Sequence, residues 1–331
     1  FFLIYFTYSN FTKRNIFENS TNFTHQNLAS DKRPPLLGGY FLIICLILNQ
    51  ELEFIQKIFL FLIFLFGTLS DYQKLNSPKI RIFGQVLFIL IFVKISNVNL
   101  YDTRIDFLDN LLSFEYFNIL FVTFCVLILI NGSNFIDGLN GLVSGYYIIV
   151  LLILYYLNLE TAYVSNQFII FFVSVLVVIF ILNLFNKIYM GDSGSYLLGF
   201  FVGIYMINIY VDNNNISPFF IILLLWYPCF ENLFSIIRKI QLKSSPLNPD
   251  NKHTHQLVFI YFKNKLKLKK IIINNISSML IIFYNLIIIS IAAMNIFNTK
   301  FQILLIFINV FTYLILYRIL HFTKKFKNSK S

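Results

Sequence analysis

The chain has 331 residues, of which 58% are hydrophobic, 19% aromatic and only 12% charged, with a formal net charge of +11. A soluble domain of this length carries about 25% charged residues, so composition excludes an ordinary soluble class. Cys45, Cys125 and Cys229 lie in three separate apolar runs, which argues against a disulfide framework, and basic runs set between apolar spans argue against nucleic-acid binding.

In chain order, the first apolar run, Phe1 to Tyr8, falls far short of the ~20 residues that span a bilayer. It lacks the flanks of a signal peptide, and the expectation is a truncated first helix. Further apolar spans follow at 36–49, 54–70, 82–96, 111–130, 142–158, 167–186, 196–211, 217–237, 271–294 and 301–320. The predicted fold is an all-α polytopic membrane protein of about 10–11 transmembrane helices. It forms a single domain over 1–331, with a large loop at 238–270 and a basic tail at 321–331. Across these spans, 22 of the 26 lysines and arginines fall on one side, which the positive-inside rule makes cytoplasmic.

The loops of that side carry the chemistry. The first, Asp31 to Gly39, ends in Pro34-Pro35-Leu36-Leu37-Gly38-Gly39, whose prolines and glycines shape a tight helix entry. Ser70-Asp71-Tyr72-Gln73-Lys74-Leu75 closes the second full span. Asn131 to Leu142 reads NGSNFIDGLNGL and places Asn131, Asn134, Asp137 and Asn140 three apart. On a helix that spacing makes one slowly turning polar stripe, expensive beside a membrane span unless it has a function. Lys187-Ile188-Tyr189-Met190-Gly191-Asp192-Ser193-Gly194-Ser195 can aim backbone N–H groups at an anion where a helix begins. The longest loop holds His253 and His255, which cannot both face one way on a helix but can in an extended or turn segment.

Asp71, Asp137 and Asp192 thus sit at cytoplasmic ends of three helices. The acids of the opposite loops (Glu51, Glu53, Asp102, Asp106 and Asp109) have no such company and read as solvated charges. Hard carboxylate oxygens suit Mg²⁺, which is commonly shared with substrate phosphates, and Lys74 and Lys187 supply point charges for phosphate oxygens. This set describes metal-assisted phosphoryl transfer at the headgroup level. Plainer roles stand beside each: a helix cap for Asp192, a buried polar residue for Asp137, a loop cap or Lys74 partner for Asp71. Lys74 and Lys187 could serve only as positive-inside anchors, His253 and His255 as ordinary loop residues, and Asn131 as structure alone. Glu231 reads as an orienting residue, and Lys263 to Lys270 as an anchor on anionic lipid. A secondary transporter, the rival from another class, would place its acids near the bilayer midplane in repeated halves; here they gather at one face.

These motifs together resemble the polyprenyl-phosphate N-acetylhexosamine-1-phosphate transferases. That superfamily includes enzymes initiating O-antigen, enterobacterial common antigen and teichoic acid synthesis, and phospho-N-acetylmuramoyl-pentapeptide transferase. The resemblance runs through PPLLGG, the DYxKL-like loop, NxxNxxDGxNGL, KxxMGDSGSxxLG and the PDNKHTH loop, in family order. It implies attack by a polyprenyl-phosphate oxygen on the β-phosphorus of a UDP-N-acetylhexosamine, with UMP leaving, at a bacterial inner membrane. The implied cofactor is Mg²⁺ or Mn²⁺, held by Asp192 with Asp137, and the assembly expected is a homodimer. Asp71, Asp137 and Lys74 are the implied catalytic residues; Asn131, Asn134, Lys187, His253 and His255 are those expected at the substrates. Three positions depart from the pattern: Ser70 replaces the first acid of a pair, Asn140 replaces an acid, and HTHQ lacks a third histidine. These departures favour an O-antigen or capsule type over the peptidoglycan enzyme. Ser70 also leaves an inactive homologue as an alternative.

Overall fold

The computed structural model describes residues 34–75, 77–161, 164–213, 215–246 and 252–328. The expected first helix remnant, Lys32-Arg33 and the Pro-Asp-Asn approach to the histidines lie outside them, as do the side chains of the basic tail from 323 on. The described residues form thirteen helices in one all-α membrane bundle: α1 (Gly38–Leu48), α2 (Phe54–Asp71), α3 (Pro78–Ile95), α4 (Asp106–Leu112), α5 (Glu115–Ile136), α6 (Leu142–Tyr156), α7 (Asn166–Leu184), α8 (Gly191–Asp212), α9 (Pro218–Leu224), α10 (Trp226–Gln241), α11 (Thr254–Lys265), α12 (Lys270–Ala293) and α13 (Thr299–Asn328). Every apolar span read from the sequence contains a helix, but fewer are of full crossing length. Six pass by length and composition, and the bent pair α9–α10 makes a seventh. Helices α1 and α6 are shorter apolar segments, and α3 carries Lys79, Arg81 and Lys94 within its length.

Helix α8 is the axis. Of its most apolar stretch 89% is buried, against 22% for α13. Helices α1, α2 and α5 surround it. Small residues set the closeness of these contacts: a Cβ on Gly199 would lie 2.6 Å from the Ile130 Cα of α5, and one on Gly39 2.7 Å from the Gly194 nitrogen. Outward-facing side chains such as Phe83, Phe307 and Phe311 are two-thirds or more exposed, an apolar belt suited to lipid rather than water.

The 217–237 span breaks at Leu225, where the axis turns by 78°. Pro228 has no N–H to give the Leu224 carbonyl four residues back. That carbonyl instead accepts from the Tyr146 hydroxyl at 2.7 Å, so it is not left orphaned in the apolar region. Just beyond it, the stretch expected to be one long loop, 238–270, holds the end of α10 and the whole of α11. Arg238 ties the two together by donating to the Lys252 carbonyl at 2.6 Å and the Tyr317 hydroxyl at 3.0 Å. At the opposite end of the bundle Arg104 bonds the Asn215, Ile216 and Phe297 carbonyls, drawing three loops together.

The glycine contacts give a test. Gly199→Ala meets backbone, whereas Gly203→Ala meets its nearest side-chain atom at 3.3 Å. In detergent, Gly199→Ala should lower the thermal midpoint, by the equivalent of ~1–3 kcal/mol of overpacking, and Gly203→Ala should leave it nearly unchanged. Equal midpoints would contradict this account of the α5–α8 contact.

Candidate active site

The site forms where α8 begins. Gly191 has φ +75°, a left-handed conformation that suits glycine, and it turns the chain so that the next amides point away from the helix. Two carboxylates from other helices take these amides. Asp71, the last residue of α2, accepts from the Asp192 nitrogen at 2.7 Å and the Ser193 nitrogen at 3.0 Å. Asp137, just past the end of α5, accepts from the Gly191 nitrogen. The anion expected at this turn is therefore supplied by the chain itself. Carboxylates here also complement the positive end of the helix dipole, an effect of about 0.3–2 kcal/mol each. The segment before α8 is fixed as well: Tyr189 donates its N–H to the Pro35 carbonyl at 2.9 Å, and its own carbonyl accepts from Gly38 at 3.0 Å. The Pro-Leu-Leu-Gly-Gly entry is thus a brace for the turn.

Asp192 projects from the first turn of α8 with its side chain 24% exposed. Its Oδ1 accepts from Asn134 Nδ2 at 2.7 Å. Its Oδ2 accepts from Ser70 Oγ at 2.6 Å, with Arg81 Nη1 at 3.4 Å. Asn134 is thereby brought to the carboxylates, while Asn131 is not: its amide bonds Gln85 Oε1 on α3 and the Leu127 carbonyl, both at 2.9 Å. The polar stripe ends early for a local reason. Helix α5 stops at Ile136, and Asn140 lies in the glycine-flanked turn that follows, its N–H bonded to Asn274.

The histidines reach the same end of the bundle. His253 precedes α11 with extended backbone and His255 is inside it. This two-residue offset across the helix start stacks the rings, 5.7 Å apart with planes 17° from parallel. Glu231, fully buried on α10, holds His253 in place. It takes His253 Nδ1 at 3.1 Å and the Thr254 N–H at 3.0 Å on one oxygen, and the Tyr313 hydroxyl at 2.8 Å on the other. The His253 ring lies 5.1 Å from that of Phe135. His255 presses on the turn beside Asp137, where a Cβ on Gly138 would lie 2.8 Å from its Cδ2. Lys74 and Lys187 are exposed at the rim, and neither ammonium meets a partner among the described residues.

Arg81 was legible only as one more basic residue, and Tyr313 not at all. The available signal for Arg81 is its place four residues before Gln85 on one face of α3, the face that meets α5. For Glu231 the structure supplies the partners that its sequence context lacked.

The donor set favours a cation. Burial, then the negative charges of Asp192 and Asp71, push the Asp137 carboxyl well above the usual carboxylate range, against the Gly191 amide. Among the described residues no three acids, histidines or cysteines close on one point as a ready-made cage. Mg²⁺ does not need one, since it binds through one or two carboxylates with waters and phosphates. Asp192 and Asp137 fit that requirement.

Residues 54–210 match the family model described as glycosyl transferase family 4. An undecaprenyl-phosphate α-N-acetylglucosaminyl 1-phosphate transferase of Thermotoga maritima is 28% identical over 130 residues, 39% of this chain and 39% of its own. One of Yersinia pestis is 27% identical over 251 residues, 71% of this chain and 66% of its own. A phospho-N-acetylmuramoyl-pentapeptide-transferase of Streptococcus mutans is 27% identical over 205 residues, 53% and 58%. The chain spans 37% to 66% of the length of the curated relatives it matches. The family segment contains Asp71, Lys74, Asp137, Lys187 and Asp192; the histidines lie beyond it.

Two outcomes follow. Asp71→Ala leaves two buried amides without an acceptor and should lower stability by about 1–3 kcal/mol, read as a fall in the thermal midpoint in detergent. An unchanged midpoint would contradict the cap. For Asp137, the raised carboxyl means the folded chain keeps a proton that the unfolded chain gives up in the ordinary carboxylate range. Its stabilising contribution is complete below that range and is lost as pH rises through the raised value. With chelator present, the midpoint should fall as pH rises above about 4, and Asp137→Asn should flatten the fall. An identical slope in Asp137→Asn would contradict it.

Proposed function

We propose that the protein transfers an N-acetylhexosamine-1-phosphate group from a UDP-sugar to polyprenyl phosphate, releasing UMP, at the cytoplasmic face of a bacterial inner membrane. The observation that carries this reading is the meeting of Asp71, Asp137 and Asp192 at the start of α8, beside the stacked histidines, at one end of a membrane bundle. The names of the relatives point to the same chemistry.

Asp192 and Asp137 would hold Mg²⁺ or Mn²⁺, which neutralises phosphate charge and polarises the phosphoryl oxygens when bound. Asn134 and Ser70 orient the Asp192 carboxylate through their hydrogen bonds. Lys74 and Lys187, exposed at the rim, are placed to draw in phosphate groups of lipid and nucleotide. His253 and His255 face the Asp137 turn and offer ring nitrogens to the sugar nucleotide. Asp71 has a different task from the catalytic one the motif implies. Both its oxygens are engaged by α8 amides, so it fixes the turn. A phosphate monoester is already ionised near neutral pH, so its oxygen can attack the β-phosphorus without a general base. The phosphorus–oxygen bond to UMP breaks as the new one forms, leaving a lipid-linked diphosphate sugar.

Purified protein with Mg²⁺, undecaprenyl phosphate and a panel of UDP-sugars should release UMP with at least one of them. Asp192→Asn should lower that rate by on the order of 100-fold or more. No UMP from any UDP-sugar would overturn the transferase reading.

A further inference from the structure

Ser70 stands where the family pattern has an acid, and the structure shows what accompanies that change. The Arg81 guanidinium, on the first turns of α3, donates to Ser70 Oγ at 3.1 Å and lies 3.4 Å from Asp192 Oδ2. Ser70 is buried and donates its own proton to that same Oδ2 at 2.6 Å. Arg81 and Asp192 each keep about a quarter of their side chains exposed, 26% and 24%. The Asp192 carboxylate is therefore already matched by an amide, a hydroxyl and a guanidinium.

Any cation that binds Asp192 must compete with Arg81 for the outer oxygen. An acid at position 70 would hold Arg81 by its own charge; neutral Ser70 offers only a hydroxyl, so Arg81 leans on Asp192. Arginine also matches phosphate oxygens with its planar fork better than it matches a shared carboxylate oxygen. We propose that Arg81 is a movable counter-charge: it occupies Asp192 while no metal is bound, and turns to a phosphate of the nucleotide once a divalent cation takes the carboxylate. This inference rests on the transferase reading above. It adds that nucleotide and metal are coupled through one side chain, because each relieves the other of Arg81.

The test uses the full-length protein in detergent, with Mn²⁺ as the metal probe read by electron paramagnetic resonance and UMP as the nucleotide probe. Without nucleotide, Arg81→Gln should bind Mn²⁺ about twofold to fivefold more tightly than the unaltered chain, the size expected for losing one partly exposed ion pair. With saturating Mn²⁺, the same variant should bind UMP about tenfold more weakly. Opposite signs are the signature, since a residue that only supported the fold would weaken both. Arg81→Lys keeps the charge without the fork, should give the same two signs at smaller size, and serves where Arg81→Gln does not fold. Mn²⁺ and UMP affinities that fall together, or that do not change, would overturn the role of Arg81 and leave the transferase reading intact. If no form binds Mn²⁺, with or without UMP, the metal reading of Asp192 fails, and this inference fails with it.

Discussion

The structure depends on one electrostatic arrangement: the amides that open α8 are held by carboxylates from α2 and α5. A helix begins with several N–H groups that have no partner within it. In a membrane bundle no bulk water is at hand to satisfy them where that end is enclosed. Asp71 and Asp137 do so, and in the same act they bring the ends of three helices to one place. Asp192, the second residue of α8, is then the acid left projecting, with Asn134, Ser70 and Arg81 around it. Positions are fixed by backbone bonds first, and only then does the exposed carboxylate have a defined surrounding.

The arrangement also concentrates negative charge, and that has a cost. Asp137 is less ready to ionise because it is buried and because Asp192 and Asp71 are close to it. Of the nearby cations, Arg81 answers part of this charge, while Lys74 and Lys187 stay at the rim. A divalent cation with phosphate ligands would complete the balance, which explains why acids would persist in so expensive a position. On the far side of the site a single buried carboxylate, Glu231, does for the histidines what Asp71 does for α8. It gathers a ring nitrogen, an amide and a phenol from two stretches of chain.

Much of this was legible in the sequence. The all-α membrane class follows from composition, and each apolar span contains a helix, because the cost of burying polar backbone in lipid leaves few alternatives. Asp137, Asp192 and Asn134 are legible as a group because acids and amides between apolar runs at one face are costly. What remained hidden was partnership. Nothing in the local sequence says that Asp71 caps a helix 121 residues away, or that Asn131 prefers Gln85 of α3 to the carboxylates. Arg81 was masked by the very rule that orients the chain, since a basic residue on the positive side needs no other reason to be there. The break at Leu225 was hidden inside an unbroken apolar run at 217–237, and α11 was hidden too, because its short length and polar residues resemble a loop until Glu231 and Tyr313 supply its partners.

The most direct measurement is an experimental structure of the full-length protein with Mn²⁺ and UMP bound. The account predicts the metal at about 2.0–2.2 Å from an Asp192 carboxylate oxygen, with Asp71 still on the amides of Asp192 and Ser193. Metal away from Asp192, or the amides turned to a nucleotide phosphate with Asp71 displaced, would contradict it.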